Sequence, residues 1–354
     1  MRKIMSYFIL ATSVVVSSAN ALAEVKITTQ SVAEVDGVPW GMAELNDSTI
    51  IYTLRQGEIG LVDKTTGATK PVTGLPKIAT VGQGGLLDVA VPSDFAKNGW
   101  IYFTYSKLSK GLAATTLARA KLDGTRLVNW TDLLVTSSGT SKGQHFGSRI
   151  AFDEQGYVYF GIGDRGVREN SQNLSNQAGT IMRLKRDGSE PEIYSYGHRN
   201  PQGLTYDAKT KRLWEAEHGP RGGDEINLIS QGKNYGWPVI SHGKEYWGPI
   251  AVGEGTAKEG MEQPLKVYIP SIAPSSLVVY RGDVFPEWDG DLLLGALVQT
   301  HINHVELDEA GNIGKETRYL DDMGERIRTL LVTKDGNIYF STDSGKIMRL
   351  LPEK

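Results

Sequence analysis

"RIAFDEQGYVYFGIGDRG" runs from Arg149 to Gly166, and "TLLVTKDGNIYFSTDSGKIMRL" from Thr329 to Leu350. In each, an alternating apolar run leads into a turn carrying an Asp and a Gly (Asp153 with Gly156, Asp335 with Gly336), and a second run ends in aromatic residues. Period-two alternation puts successive side chains on opposite faces of an extended chain, and such turns fold the runs back antiparallel. A third run follows in both, "TIMRLKRDG" (Thr180 to Gly188) and "KIMRLLPEK" (Lys346 to Lys354), with a weaker echo in "LARAKLDG" (Leu117 to Gly124).

The same template recurs at "STIIYTLRQGEIGLVD", "GWIYFTYSK", "GLTYDAKTKRLWEAEHG" and "GDLLLGALVQTHINHVELDEAG", which makes six copies. Most starts lie about 45 to 60 residues apart, the period of a four-stranded propeller blade and too long for a sandwich. With helical signal nearly absent, the expected fold is all-β: a six-bladed β-propeller of four-stranded antiparallel blades, one domain over residues 24–354. The aperiodic stretch between Ile229 and Ser276 reads as an insertion between the fourth and fifth blades. Polar loops at one end of the propeller axis are where a small-molecule site is expected.

The chain of 354 residues has a formal net charge of -3, which gives no electrostatic reason to expect nucleic acid or an anionic membrane as partner. Its first residues, "MRKIMSYFILATSVVVSSANALA", place Arg2 and Lys3 before an apolar run and small residues at Ala21 and Ala23. That is a secretory signal layout, so residues 1–23 are expected to be removed near Ala23 and the mature protein to be periplasmic. No later run approaches the ~20 apolar residues of a spanning helix. The chain has no Cys, so any metal must take oxygen or His ligands.

Four loops concentrate chemistry. "VGQGGLLDVAV" sets Gln83 between glycines, either as a plain turn or as a close approach to a ligand. "KGQHFGSRIAF" offers His145 as a hydrogen-bonded structural residue or as a general base. In "YGHRNPQGL" and "EHGPRGGDEINLI", the Gly219 and Pro220 carbonyls suit a hard cation, and Asp224 and Glu225 could add carboxylates. The bland alternative is a solvated turn in which Arg221 pairs with Asp224. In "ERIRTLLV", Arg326 and Arg328 share one face of an extended segment and suit a polycarboxylate, or else pair with Asp321, Asp322 or Glu325.

Five blocks, "GQGGLLDVAVPSDF", "HFGSRIAFDEQGYVY", "YSYGHRNPQGL", "EHGPRGGDEINLISQGKNYGWP" and "RIRTLLVTKDGNIYFSTD", together resemble the soluble quinoprotein glucose/sorbosone dehydrogenase family, most closely its aldose sugar dehydrogenases. The resemblance implies oxidation of the anomeric hydroxyl of an aldose sugar to a lactone, with pyrroloquinoline quinone (PQQ) and calcium as cofactors and an electron acceptor the sequence does not name. It implies that His145 is the base, that Arg199 is catalytic with it by stabilising negative charge as the quinone is reduced, and that Gln83, Arg199, Asn200, Tyr246, Arg326 and Arg328 contact PQQ. It implies a calcium on the carbonyls of Gly219 and Pro220, and a second, structural calcium near Glu225 and the carbonyl of Tyr235. The family usually carries a Lys after "GAL" of the fifth blade; here Val298 stands there, with Gln299, His301 and His304 as candidates to compensate. Two other classes stay open: a propeller that binds without catalysis, and a calcium-dependent lactonase-like hydrolase.

Overall fold

Residues 25–353 are described by a computed structural model, and six four-stranded antiparallel sheets account for nearly all of their regular structure. The expected signal segment lies outside the described residues. The first strands of the six sheets pack side by side in a ring, at Pro39–Asn46, Leu86–Ala90, Ile150–Phe152, Pro201–Asp207, Pro274–Val279 and Ile327–Val332. Numbered from these strands, blades 1 to 6 form the six-bladed β-propeller that the repeat predicts.

Local chemistry explains the turns. In blade 3 the Asp153 carboxylate accepts the backbone N–H groups of Gln155 (2.9 Å) and Tyr157 (2.8 Å), while Gly156 takes φ +89°. The runs on either side then pair in register, Ile150 opposite Phe160 and Phe152 opposite Val158. Both faces of a sheet are buried against neighbouring blades. Tyr102 and Leu117 of blade 2 pack on Ile150, Val158, Phe160 and Met182 of blade 3, and Trp214 and Ile226 of blade 4 on Leu277, Leu292 and Leu294 of blade 5. Dense apolar runs on both faces of each strand follow from this double burial.

Two features depart from the sequence reading or add to it. The aperiodic stretch after Ile229 is an excursion inside blade 4, between its third strand Asp224–Ile229 and its fourth strand Lys266–Tyr268, and not an insertion between blades 4 and 5. The fourth strand spans three residues and sits between Pro264 and Pro270, so it offers no periodicity to read. The ring itself is closed by Ile27–Glu34, which pairs antiparallel with Lys346–Pro352 as the outer strand of blade 6.

At the axis, Arg149 joins five blades. Its Nη1 donates to Asp88 Oδ1 (2.9 Å), Nε to the carbonyls of Gln202 (3.1 Å) and Ser275 (3.2 Å), and Nη2 to those of Ser275 and Arg328 (both 2.9 Å). Its guanidinium also lies 4.1 Å from the Trp40 ring centroid. Asp88 in turn accepts the Ile150 amide (2.9 Å). Removing one partner of a buried ion pair strands the other charge. Arg149→Met is therefore expected to lower unfolding free energy by about 3–5 kcal/mol in urea titrations, and adding Asp88→Asn to recover part of that loss.

Candidate active site

At the end of the axis where the first strands begin, a cavity of about 730 Å³ opens. Gln83, Asn200, Gly219, Pro220, Tyr246, Val298, Arg326 and Arg328 all line it. Residues spread over 245 positions of sequence thus meet because each loop enters the innermost strand of its own blade.

His145 joins this cavity through its backbone, whose amide donates to Gln83 Oε1 (2.8 Å). The His145 backbone is left-handed, at φ +56°, and a Cβ on Gly163 would sit 2.3 Å from its carbonyl oxygen, so only glycine allows the approach. Arg165 supports the same loop. Its guanidinium stacks on Phe146 at 3.3 Å and donates to the carbonyls of Gln144, Ala113 (3.1 Å) and Lys142 (3.3 Å). Burial pulls Arg165 down to about 10, which still leaves it cationic at neutral pH.

The His145 ring is oriented by a residue the sequence reading passed over. Its Nδ1 lies 2.7 Å from Asp164 Oδ1, which also accepts the Gly166 amide (2.7 Å), while Asp164 Oδ2 accepts the indole N–H of Trp237 (2.9 Å). Burial alone would raise the Asp164 pKa. The His145 hydrogen bond and charge, with the Arg199 charge and the Gly166 amide, outweigh it and hold the group below the usual carboxylate value. An ionised carboxylate can only accept, so neutral His145 keeps its proton on Nδ1 and presents Nε2 as a base. The signal available in the sequence was the glycine-flanked "GIGDRG" that ends the second strand of blade 3.

Arg199 and Asn200 are fixed by one buried carboxylate. Glu217 Oε2 accepts both of their amides, at 2.6 and 3.2 Å. The Arg199 side chain donates to the His218 carbonyl (3.0 Å) and the Tyr246 hydroxyl (3.3 Å), with Trp237 5.3 Å away. Burial and then the Arg199 charge drive His218 down to about 3, so it stays neutral and donates from Nε2 to the Pro274 carbonyl (2.8 Å).

Arg326 and Arg328 do share a face, but their partner is Asp343, not Asp321, Asp322 or Glu325. Arg326 Nε reaches Oδ2 (2.8 Å), and Arg328 Nε and Nη2 reach Oδ1 and Oδ2 (2.7 and 2.9 Å). Asp224 does not pair with Arg221 either. It accepts from the Gly219 amide (2.9 Å), the Ser271 hydroxyl (3.0 Å) and the Ala273 amide (2.7 Å), which shapes the Gly219–Pro220 turn. Neither the Gly219 nor the Pro220 carbonyl accepts a hydrogen bond from the described residues.

Behind that turn lies a second, small cavity of about 10 Å³, lined by Arg199, Glu217, Gly219, Glu225 and Tyr235 among others. Glu225 and Tyr235 therefore stand apart from the main cavity, sharing a wall with it. Candidate ligand atoms of His198, Glu215 and Glu217 lie within 4.8 Å of one another beside it. Glu215 Oε1, Asn227 Oδ1 and His198 Nδ1 are buried without a hydrogen-bond partner. Burial, reinforced by the Glu217 charge, pushes Glu215 and Glu225 well above the usual carboxylate range. Crowded, under-satisfied oxygens of this kind suit a hard cation.

Of the candidates to compensate for Val298, none lines the main cavity. Gln299 donates to the Ser271 carbonyl (3.2 Å) and accepts from Arg318 (2.5 Å), while His301 bonds the Gln299 carbonyl (2.9 Å) and His304 bonds Asp291 (2.8 Å).

Known proteins resemble this chain over most of its length. The chain is 35% identical over 367 residues to the aldose sugar dehydrogenase YliI of Escherichia coli strain K12, covering 98% of each protein. It is 28% identical to quinoprotein glucose dehydrogenase B of Acinetobacter calcoaceticus, over 84% of this chain and 82% of that one. The crystal structure of the soluble Escherichia coli aldose sugar dehydrogenase in its apo-form superposes with a TM-score of 0.88 at 33% identity, covering 93% of this chain and 100% of that one. Residues 37–349 match the Glucose / Sorbosone dehydrogenase family profile, and the chain belongs to that family of oxidoreductases.

Proposed function

We propose that this protein is a periplasmic aldose dehydrogenase that oxidises the anomeric hydroxyl to the lactone, using PQQ and calcium. The observation that carries the proposal is the His145–Asp164 pair, tied by Gln83 to a large cavity lined with arginines. The kinship with proteins named aldose sugar dehydrogenase and quinoprotein glucose dehydrogenase supports the substrate and cofactor classes. The basic start and apolar run of residues 1–23 support export.

The residues present fit both cofactors. Arg326 and Arg328 offer guanidiniums to carboxylates, Gln83, Asn200, Arg199 and Tyr246 offer polar contacts, and the Gly219 and Pro220 carbonyls are free to take calcium. A second calcium is assigned to Glu225 with Glu217 and the Tyr235 carbonyl, which accepts no hydrogen bond from the described residues. When bound, PQQ supplies a quinone that takes up the two electrons with the anomeric hydrogen, and calcium polarises its carbonyl as a Lewis acid.

The chain's own residues handle the proton. His145 Nε2 accepts it from the anomeric hydroxyl, and Asp164 stays a carboxylate that stabilises the resulting imidazolium and fixes the ring. Trp237 and Gly166 hold Asp164 in turn, so the base cannot rotate away. A hydrolase of the calcium-propeller kind would need several carboxylates converging on the axis. Here Arg149 fills the axis, and the two acids that line the cavity, Asp224 and Asp343, are committed to hydrogen bonds. A propeller that only binds would leave the His145–Asp164 pair without a task.

Reconstitution of the protein from Glu24 onward with PQQ and calcium should give aldose-dependent dye reduction that needs both; absence of PQQ binding would overturn the proposal. His145→Ala is expected to keep PQQ binding and lose about 10²-fold or more in kcat, and Asp164→Asn to lose kcat with little change in KM. Calcium is expected to raise the Tm of the wild type. The gain should largely vanish in Glu217→Gln, and an unchanged gain would remove Glu217 from the ion site.

A further inference from the structure

Four cations line the main cavity, Arg55, Arg221, Arg326 and Arg328, and they differ in what holds them. Arg326 and Arg328 share the single carboxylate of Asp343. Arg55 donates to the Gly82 carbonyl (2.7 Å). The Arg221 side chain has no hydrogen bond or ion pair among the described residues, and the neighbouring acid, Asp224, is turned away and engaged with Gly219, Ser271 and Ala273.

An unpaired surface arginine is ordinarily just solvated, but this one is mounted on fixed backbone. Its amide donates to the Lys244 carbonyl and its carbonyl accepts the Lys244 amide, both at 3.1 Å, while the Gly222 amide donates to the Ser271 hydroxyl (3.1 Å). Ser271 belongs to the segment that also receives Val298, whose amide donates to the Ile272 carbonyl (3.0 Å). Arg221 and Val298 thus flank the same side of the cavity, where blades 4 and 5 meet. Val298, 62% exposed, brings only methyl groups there. Gln299, His301 and His304 are held elsewhere, and Arg326, whose Nη1 donates to the Leu297 carbonyl (3.0 Å), is already paired with Asp343, so Arg221 is the cation on this side without an acid partner among the described residues.

We propose that Arg221 is a cofactor-binding residue that takes a carboxylate of PQQ on the blade 4 to blade 5 side of the cavity. The proposal rests on the PQQ reading above and adds to it a second anion contact, distinct from the Asp343-bound Arg326–Arg328 pair. PQQ is a tricarboxylate, and a guanidinium without a competing acid on a rigid mount binds a carboxylate bidentately with little ordering cost.

The test is PQQ binding itself, measured by equilibrium dialysis and quinone absorbance on apoprotein with calcium present. Arg221→Gln is expected to raise Kd about 10-fold and to weaken the dependence of Kd on salt, with circular dichroism and Tm unchanged. Arg221→Lys should retain most of the affinity, and adding Val298→Lys to Arg221→Gln should restore it. Arg328→Gln serves as the reference for a lost carboxylate contact. If Arg221→Gln binds like the wild type while Arg328→Gln binds weakly, Arg221 is only solvated and this proposal fails with the PQQ reading intact. If the wild type itself binds no PQQ, the functional reading fails as well. A weakened Arg221→Gln that Val298→Lys leaves unrescued would overturn the placement of the contact at this side.

Discussion

Six sheets set around an axis create a problem that one side chain solves. The innermost strands turn backbone carbonyls toward a narrow channel, and a carbonyl kept from water needs a donor. Arg149 supplies a planar fork that meets the carbonyls of Gln202, Ser275 and Arg328 and the carboxylate of Asp88, with the Trp40 face beneath it. A lysine, with a single nitrogen, could not span blades 2, 4, 5 and 6 at once. Because one of those carbonyls belongs to Arg328, the lock of the fold and a cation of the site sit on one residue. The plug also separates the cavity of about 730 Å³ at one end from an opening of about 700 Å³ at the other.

The site is built by dividing charge between compartments. Carboxylates are buried behind the Gly219–Pro220 turn, where Glu215, Glu217 and Glu225 crowd together, and arginines face the cavity in front of it. Glu217 belongs to both sides, since its Oε2 fixes the amides of Arg199 and Asn200 while its other oxygen lies 3.8 Å from His198. A cation bound at the rear would therefore act, through Glu217, on the backbone of Arg199 and Asn200 beside the main cavity. Asp343 plays the corresponding part for Arg326 and Arg328, holding two like charges at a spacing they would not adopt alone.

The repeat was legible because every blade spells the same local physics, alternation followed by a turn residue that caps its own backbone, as Asp153 does. The cavity residues were legible where they stand in glycine-rich loops, since such loops advertise close approach: Gln83, His145, Asn200 and Gly219 are of this kind. What escaped lies in strands and strand ends. Asp164, Asp343 and Glu217 each follow an apolar run and Arg149 opens one, so all four look like ordinary edge polarity, and the partners of Asp164, Arg149, Asp343 and Glu217 are 19, 61, 15 and 18 residues away. The three-residue strand Lys266–Tyr268 escaped because a strand that short has no period, so the excursion around it was given to the wrong place.

Closure by Ile27–Glu34 against Lys346–Pro352 sets the order in which this protein can come into being. The strand Ile27–Glu34 must wait for Lys346–Pro352 to be synthesised before it can pair, so blade 6 closes after the earlier blades can already form. The cavity draws on Gln83 near one end of the chain and Asp343 near the other. No nascent or clipped fragment can hold a whole site. The whole cavity lining is therefore brought together only in the closed ring, so a chain cut while the ring is still open never assembles it.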